Sequence, residues 1–203
     1  MKTKDRILNK ALELFNEEGV KEVTLRQIAM ALEMSQGNLN YHYKLKSDII
    51  SALYYQLVDE MDAEMEKIVK EQALLSMMYE SSKVSMNVLY NYRFLMKDLY
   101  SILQSDPELE KHYNGLQSLR KQQYLFLFNH MTEQGVLRKE ELPGEYERFY
   151  ERLHILGDHW VKVAEFFNSG KDEAVSYYHQ LLFEVIYPYL TDKGKKEYLK
   201  LVQ

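Results

Sequence analysis

The chain has 203 residues, of which 46% are apolar and 28% charged, with no cysteine, eight glycines and three prolines. This excludes a disordered or collagen-like chain and any disulfide or thiolate chemistry, and it favours long helices over a many-turned sheet. The net charge of −5 argues at first against nucleic acid, but the charge is unevenly placed. Residues 1–46 hold eight Lys/Arg against six Asp/Glu, which leaves 18 against 25 for the remainder, and no acid lies between Met34 and Lys46. A modestly basic head on an acidic body suits a protein that touches phosphates with one end only. MKTKDRILNK lacks an apolar signal core, and no run approaches the roughly 20 apolar residues of a membrane span, so a cytoplasmic location without membrane contact is expected.

The periodicity predicts an all-α fold. A first helix runs from about Lys4 to Glu18, capped by Thr3 and closed by Gly19, with Ile7, Ala11, Leu14 and Phe15 on its inner face. Thr24 and Gln27 have capping-box spacing at the start of a second helix, whose apolar face is Leu25, Ile28, Ala29 and Leu32. Glu33-Met34-Ser35 makes a turn, and Ser35 caps a third helix from about Gln36 to Tyr43. That helix buries Leu39 and Tyr43 and leaves Gln36, Gly37, Asn38, Asn40, Tyr41 and His42 free. Two short helices joined by a tight turn have the shape of a helix-turn-helix, whose second helix enters the DNA major groove.

Ser47 then caps a long fourth helix, Asp48 to about Lys70, with Ile49, Leu53, Leu57 and Met61 inward. A fifth runs from Met77 to Gln104. Ser105-Asp106-Pro107 stops it and restarts the chain in a short helix, Glu108 to Tyr113. Leu116 to Glu133 follows, then a loop at Leu142-Pro143-Gly144. Two long helices come next, about Glu145 to Asn168 and Asp172 to Tyr189, and a charged one from Lys193 to Val202. The first two carry apolar stripes: Tyr146, Tyr150, Leu153, Gly157, Trp160, Ala164 and Phe167, and then Val175, Tyr178, Leu182, Val185 and Tyr189. Such spacing packs helix on helix, whether inside one chain or between two.

Phe15, Gly19, Thr24, Ile28-Ala29, Met34-Ser35, Gly37, Leu39, His42-Tyr43, Lys46 and Ile49 together resemble the signature of the tetracycline-repressor (TetR) family of bacterial transcriptional regulators. The resemblance covers about the first quarter of the chain; the rest is similar only in architecture. It implies a helix-turn-helix DNA-binding domain over 1–46 and an effector-binding, dimerisation domain over 47–203. Thr24, Ser35, His42 and Lys46 match phosphate contacts. Arg26, Gln36, Asn38 and Asn40 sit where the family reads base edges, and their fork-like groups suit guanine and adenine. Gly37 admits the backbone to the duplex, and Tyr41 lies against the sugar-phosphate rail or a thymine methyl. Glu33 stands where the family usually has glycine, and Asn40 where tyrosine is common. The last two long helices would form a homodimer bundle through Tyr146, Tyr150, Leu153, Gly157, Trp160, Ala164, Phe167, Tyr178, Leu182 and Val185.

The resemblance also implies a small-molecule effector in the body that releases a palindromic operator. Met86, Tyr90, Phe94, Tyr124, Phe128, His154 and Asp158, large or polar on apolar faces, are the candidate lining. No cofactor and no metal are expected. Glu151-x-x-His154 has the step of di-iron bundles, but those need two such steps and two further glutamates. His154, Asp158 and His159 could instead hold one metal, though an i, i+4 pair is the simpler reading. An all-α dimeric small-molecule-binding or interaction protein with a vestigial DNA-binding head is the other alternative.

Overall fold

A computed structural model of the chain describes residues 2–68, 73–167 and 170–202. Helices α1 (Thr3–Glu18), α2 (Leu25–Ala31) and α3 (Gln36–His42) pack around Ile7, Ala11, Phe15, Val23, Ile28 and Leu39, all fully enclosed. The first begins at Thr3, so Thr3 is its first helical residue rather than its cap, and the Asp5 carboxylate accepts the Lys2 N–H at 3.1 Å. Gly19 takes φ 89° after it, and its N–H reaches the Phe15 carbonyl at 3.1 Å. That positive φ is open to glycine, which has no Cβ to clash.

Helix α4 (Lys46–Glu66) starts two residues before Asp48. Asp48 accepts the Leu45 N–H at 2.8 Å, which makes Leu45 the flanking residue and puts Ser47 inside the first turn. Ile49, Leu53, Leu57 and Met61 are buried. The expected continuation to Lys70 lies outside the described residues beyond Ile68.

The helix expected over Met77–Gln104 is two, α5 (Leu74–Asn91) and α6 (Arg93–Ser105). Neither glycine nor proline breaks it. Tyr92 leaves helical geometry (φ −109°, ψ 36°), and the side chain of Asn16, from α1, serves both freed ends. Its Nδ2 donates to the Asn91 carbonyl at 2.7 Å and its Oδ1 accepts the Phe94 N–H at 3.1 Å. The Phe15 and Phe94 rings, 5.1 Å apart, pack beside this joint.

In contrast, the two helices expected around Gly115 are one, α7 (Pro107–Glu133). Asp106 caps it, accepting the Glu108 and Leu109 N–H groups at 3.1 and 3.2 Å. Gly115 is exposed inside it, at a cost of about 1 kcal/mol relative to alanine, which one glycine in 27 residues does not turn into a break. Helices α8 (Glu145–Phe166) and α9 (Lys171–Glu184) follow, then a 3-10 turn at Tyr187–Tyr189 and α10 (Asp192–Leu201). The last part of the expected ninth helix becomes the 3-10 turn because Pro188 has no N–H to give. Leu137 and Leu190 form an isolated antiparallel bridge beside it.

Two apolar clusters result. One runs without interruption from α1 through α4 and α6 to Trp160, Val161 and Ala164 of α8. The other gathers Phe128, Met131, Tyr146, Phe149, Phe183 and Tyr198 around the far end.

Candidate nucleic-acid interface and effector site

The turn between α2 and α3 is built from short-range bonds. The Thr24 hydroxyl accepts the Gln27 N–H at 3.3 Å, and Gln27 Oε1 accepts the Thr24 N–H at 2.8 Å. The same carbonyl oxygen takes the Thr24 hydroxyl hydrogen at 2.7 Å, so in this conformation that hydrogen points into the cap and not outward. Ser35 accepts the Asn38 N–H at 3.2 Å, which leaves its own hydrogen uncommitted among the described residues. Glu33 adopts φ 54°, the left-handed conformation that the usual glycine would take at no cost.

α3 is anchored by Leu39 alone, fully buried, with Tyr43 buried at its end and Lys4 5.9 Å from the Tyr43 ring centre. Most of the rest of it faces out. Gln36, Gly37, Asn38 and Asn40 are exposed, Tyr41 is 85% exposed, and His42, half-buried, meets the Tyr41 ring edge-on at 5.3 Å. Arg26 is exposed on α2. Met30 on α2 and Leu45 just after α3 are also exposed, at 66% and 61%.

Lys46 is placed differently from its neighbours. Its ammonium donates to the Val20 and Val23 carbonyls at 2.6 and 2.9 Å, tying the α1–α2 corner to the base of α4. An ammonium has three hydrogens, so one remains for an outside acceptor.

The expected effector lining is divided. Met86, Tyr90 and Phe94 belong to the first apolar cluster, whereas Phe128 is fully enclosed in the second, 5.0 Å from Phe149. Phe94 and Phe128 are core by their packing, and the seven residues do not line one chamber. Tyr124, His154 and Asp158 do come together, along the seam between α7 and α8. Tyr124 lies 5.5 Å from Tyr150, Tyr150 stacks nearly parallel to His154 at 6.2 Å, and His154 Nε2 is 3.6 Å from Asp158 Oδ2.

Sequence reasoning missed the residues that converge on this seam from elsewhere. The Tyr100 hydroxyl of α6 and the Tyr113 hydroxyl of α7 both donate to Asp158 Oδ2 at 2.8 Å. Burial, then the bond to this carboxylate, pushes Tyr100 up to about 12; Tyr113 rises through burial and the same negative charge. Tyr54 of α4 meets His112 Nδ1 at 3.0 Å, and its hydroxyl is raised to about 12, chiefly by burial. Gln117, Arg120 and Gly157 complete the seam. Gly157 sits at the middle of the inner face of α8, between Tyr150, Leu153, Val161 and Ala164, yet no atom outside the helix backbone and its chain neighbours lies within 4 Å of where its Cβ would be. Gly157 is itself only half-buried, so a small side chain there would have room. A separate half-open cleft of about 380 Å³ lies between α5 and α9 over Tyr79 and the buried His179.

The residues expected at a dimer seam divide by their burial within the chain. Tyr146, Tyr150, Trp160 and Ala164 are buried within the protomer, and Leu153, Gly157, Tyr178, Leu182 and Val185 are half-buried on the same inner faces. Of that set only Phe167 is exposed. The periodicity marked a buried face correctly, but its partners are α5, α6 and α7 of the same chain. The apolar residues that α8 and α9 turn outward are Ile155, Val163, Phe166, Phe167, Tyr177 and Leu181. The metal readings find no convergence: Glu151 pairs with Lys121 at 3.3 Å, and His159 Nδ1 lies 3.1 Å from its own helix at the Ile155 carbonyl. No group of three or more potential ligands is close enough to hold a metal among the described residues. No helix there is long and apolar enough to cross a membrane.

An all-α chain that presents a Ser-capped, acid-free polar helix at the tip of a three-helix unit is a helix-turn-helix transcriptional regulator. Comparison with known proteins gives the family. Residues 7–53 match the family model for bacterial regulatory proteins of the tetR family, and residues 56–198 match the one described as a bacterial transcriptional repressor, TetR. The "Probable HTH-type transcriptional regulator YttP" of Bacillus subtilis is 23% identical over 157 residues, 76% of this chain and 74% of that protein. A TetR-family transcriptional regulator from Marinobacter aquaeolei superposes with a TM-score of 0.84 at 26% identity, covering 100% of this chain and 98% of that one. A transcriptional regulator from Saccharomonospora viridis, solved in complex with choline, shares the fold at a TM-score of 0.75 and 20% identity, over 91% and 95% of the two chains. The chain belongs to the TetR family of bacterial transcriptional regulators.

Proposed function

We propose that this regulator is a homodimeric repressor, in the cytoplasm, that grips a palindromic operator through α3 and is released by a small molecule in its body. Residues 1–46 would be the DNA-binding domain and 47–203 the sensing and dimerising one. The observation that carries the reading is the one-sided burial of α3. Leu39 and Tyr43 hold it, while Gln36, Asn38, Asn40 and Tyr41 are exposed in a stretch without a carboxylate. Two such helices about 34–36 Å apart would enter successive major grooves on one face of the duplex. Asn38 and Gln36 would read base edges with Arg26 and Asn40, and Ser35, His42 and the remaining Lys46 hydrogen would hold phosphates. The Thr24 hydroxyl would have to turn from Gln27 to join them.

The outward apolar residues of α8 and α9, from Ile155 to Leu181, support a two-helix face that a second copy would cover to make a four-helix bundle. The polar seam in which Tyr100 and Tyr113 meet Asp158 supports an effector site, and the choline complex of the Saccharomonospora regulator is a case in which this fold is bound to a small molecule. An effector favouring one tilt of α4 by about 1–3 kcal/mol would change operator affinity roughly 5- to 150-fold.

The test begins with genomic fragments retained by the purified protein. On the operator so found, Asn38→Ala with His42→Ala abolishes binding and leaves the melting temperature nearly unchanged, since neither side chain is core. Wild-type affinity in the double mutant would overturn the assignment of α3. Binding also weakens with salt, with a slope of about −0.9 per phosphate contacted. Phe166→Asp gives a monomer in sedimentation velocity and weakens operator binding; a dimer that persists would overturn the α8–α9 face.

A further inference from the structure

The half-open cleft of about 380 Å³ between α5 and α9 has a buried imidazole in its floor. His179 is 3% exposed, with its ring edge-on to Tyr79 at 4.6 Å. Its Nε2 lies 3.1 Å from the Tyr79 carbonyl oxygen and 2.9 Å from Ser82 Oγ. The Ser82 hydroxyl already donates its hydrogen to that same carbonyl, at 2.8 Å. A carbonyl oxygen, and a hydroxyl oxygen whose hydrogen is committed, can only accept. The ring hydrogen is therefore on Nε2, and Nδ1 is a bare lone pair. Burial keeps the ring neutral by lowering His179 below the ordinary histidine value.

Nδ1 has no hydrogen-bond partner among the described residues. Nor is it sealed in, because the one enclosed side-chain nitrogen or oxygen without a partner among them is Trp160 Nε1. His179 lines the cleft, so its lone pair opens into that space. An acceptor on a side chain this deeply buried calls for a donor. The walls carry one charge of each sign. Lys83, one turn after Tyr79 on α5, and Asp172, two turns before His179 on α9, line the same cleft, and neither is in an ion pair among the described residues. Val175 and Val202 add apolar surface. A ligand with only a positive charge is repelled by Lys83, and one with only a negative charge by Asp172. A ligand with both finds an opposite for each.

We propose that the α5–α9 cleft binds a free α-amino acid, whose ammonium donates to His179 Nδ1 and whose carboxylate pairs with Lys83. Asp172 supplies the countercharge to the ammonium, and the ligand's side chain lies against Val175 and Val202. An ammonium N–H to a neutral imidazole nitrogen is a charge-assisted bond, stronger than one between neutral groups. The site is separate from the seam at Asp158 and does not depend on an effector binding there.

The experiment uses the full-length protein. Isothermal titration calorimetry measures the common amino acids one at a time, then the N-acetyl and the amide derivative of any that binds. The N-acetyl derivative, which has lost the charged donor, binds at least about tenfold more weakly. The amide, which has lost the anion, binds roughly two- to fivefold more weakly, as for an exposed ion pair, and Lys83→Gln removes that difference. Asp172→Asn weakens the free amino acid by a similar factor. Both substitutions are at exposed positions, so the fold is kept. Nitrogen-15 NMR of the imidazoles reads the site directly: the Nδ1 resonance of His179, identified by its loss in His179→Gln, moves as ligand is added, and those of the other five histidines do not. If no amino acid binds, if the derivatives bind as tightly, if Lys83→Gln and Asp172→Asn leave the affinities unchanged, or if the Nδ1 resonance stays still, the inference is overturned. Operator binding through α3 is untouched by any of these results.

Discussion

Gly157→Ala should stabilise the protein, which is unusual for a substitution in the middle of a body. Glycine in a helix interior is less favourable than alanine by about 0.8–1.0 kcal/mol. Gly157 is the thirteenth of the 22 residues of α8 and has no positive φ, so the backbone gain is available in full. The new methyl meets no atom within 4 Å, so there is no clash to subtract. Partial burial of the methyl adds at most about 0.8 kcal/mol. For a chain of this size each kcal/mol moves the melting temperature by about 2–4 °C, giving a rise of roughly 2–7 °C. Calorimetry at one fixed protein concentration is the assay, because self-association makes the melting temperature concentration-dependent. Two other glycines calibrate it. Gly115→Ala, exposed and also without an atom within 4 Å, gives the backbone gain alone. Gly194→Ala would place a Cβ 2.2 Å from the Val136 carbonyl oxygen and costs about 1–3 kcal/mol. If Gly157→Ala melts below wild type, the space beside the glycine is not open and the reasoning fails.

Asn16→Ala leaves the Asn91 carbonyl and the Phe94 N–H without their partner at the α5–α6 joint. It should cost about 2–3 kcal/mol in urea titration, with the slope unchanged; a loss below about 0.5 kcal/mol would show the joint forming without it. Acid should act through Glu145, which Arg138 grips with two bonds at 2.8 Å. That grip, with the Glu141 N–H, lowers the carboxyl to about 2. A lowered folded-state value means the contribution is complete above the unfolded carboxyl's range and is lost as pH falls from about 4.5 towards 2. Glu145→Gln should therefore flatten the melting temperature against pH in that window, and an unchanged profile would sink the assignment.

Local chemistry made the head legible. Thr24–Gln27, Ser35 and the inward pair Leu39 and Tyr43 are signals contained within four residues; Glu33, where the family usually has glycine, left a changed turn or a strained one open, and it takes φ 54°. What sequence could not provide was the partner of each face. The break at Tyr92 is served by Asn16, 75 residues from Asn91, and nothing around Tyr92 marks it. Gly115 looked like a stop, but a helix stops where its ends are satisfied, and the cap at Asp106 serves both segments. The α8 stripe marked burial without saying by whom. Lys46 looked like a phosphate contact from charge and motif position; that two of its hydrogens go to Val20 and Val23 depends on how α1 meets α4. Tyr100, Tyr113 and Arg120 reach the seam from two helices, with no spacing in common with Asp158.

The unbroken course of α7 has a mechanical meaning. Its 27 residues make a stiff strut about 40 Å long. Arg120 lies near its midpoint. At its foot Asp106 not only caps the strut but accepts the Ser51 hydroxyl of α4 at 3.0 Å, just above the three-helix tip. A hinge at Gly115 would have absorbed small rotations on the way. Without one, the strut ties the seam at Asp158 rigidly to the root of the helix that follows the three-helix tip.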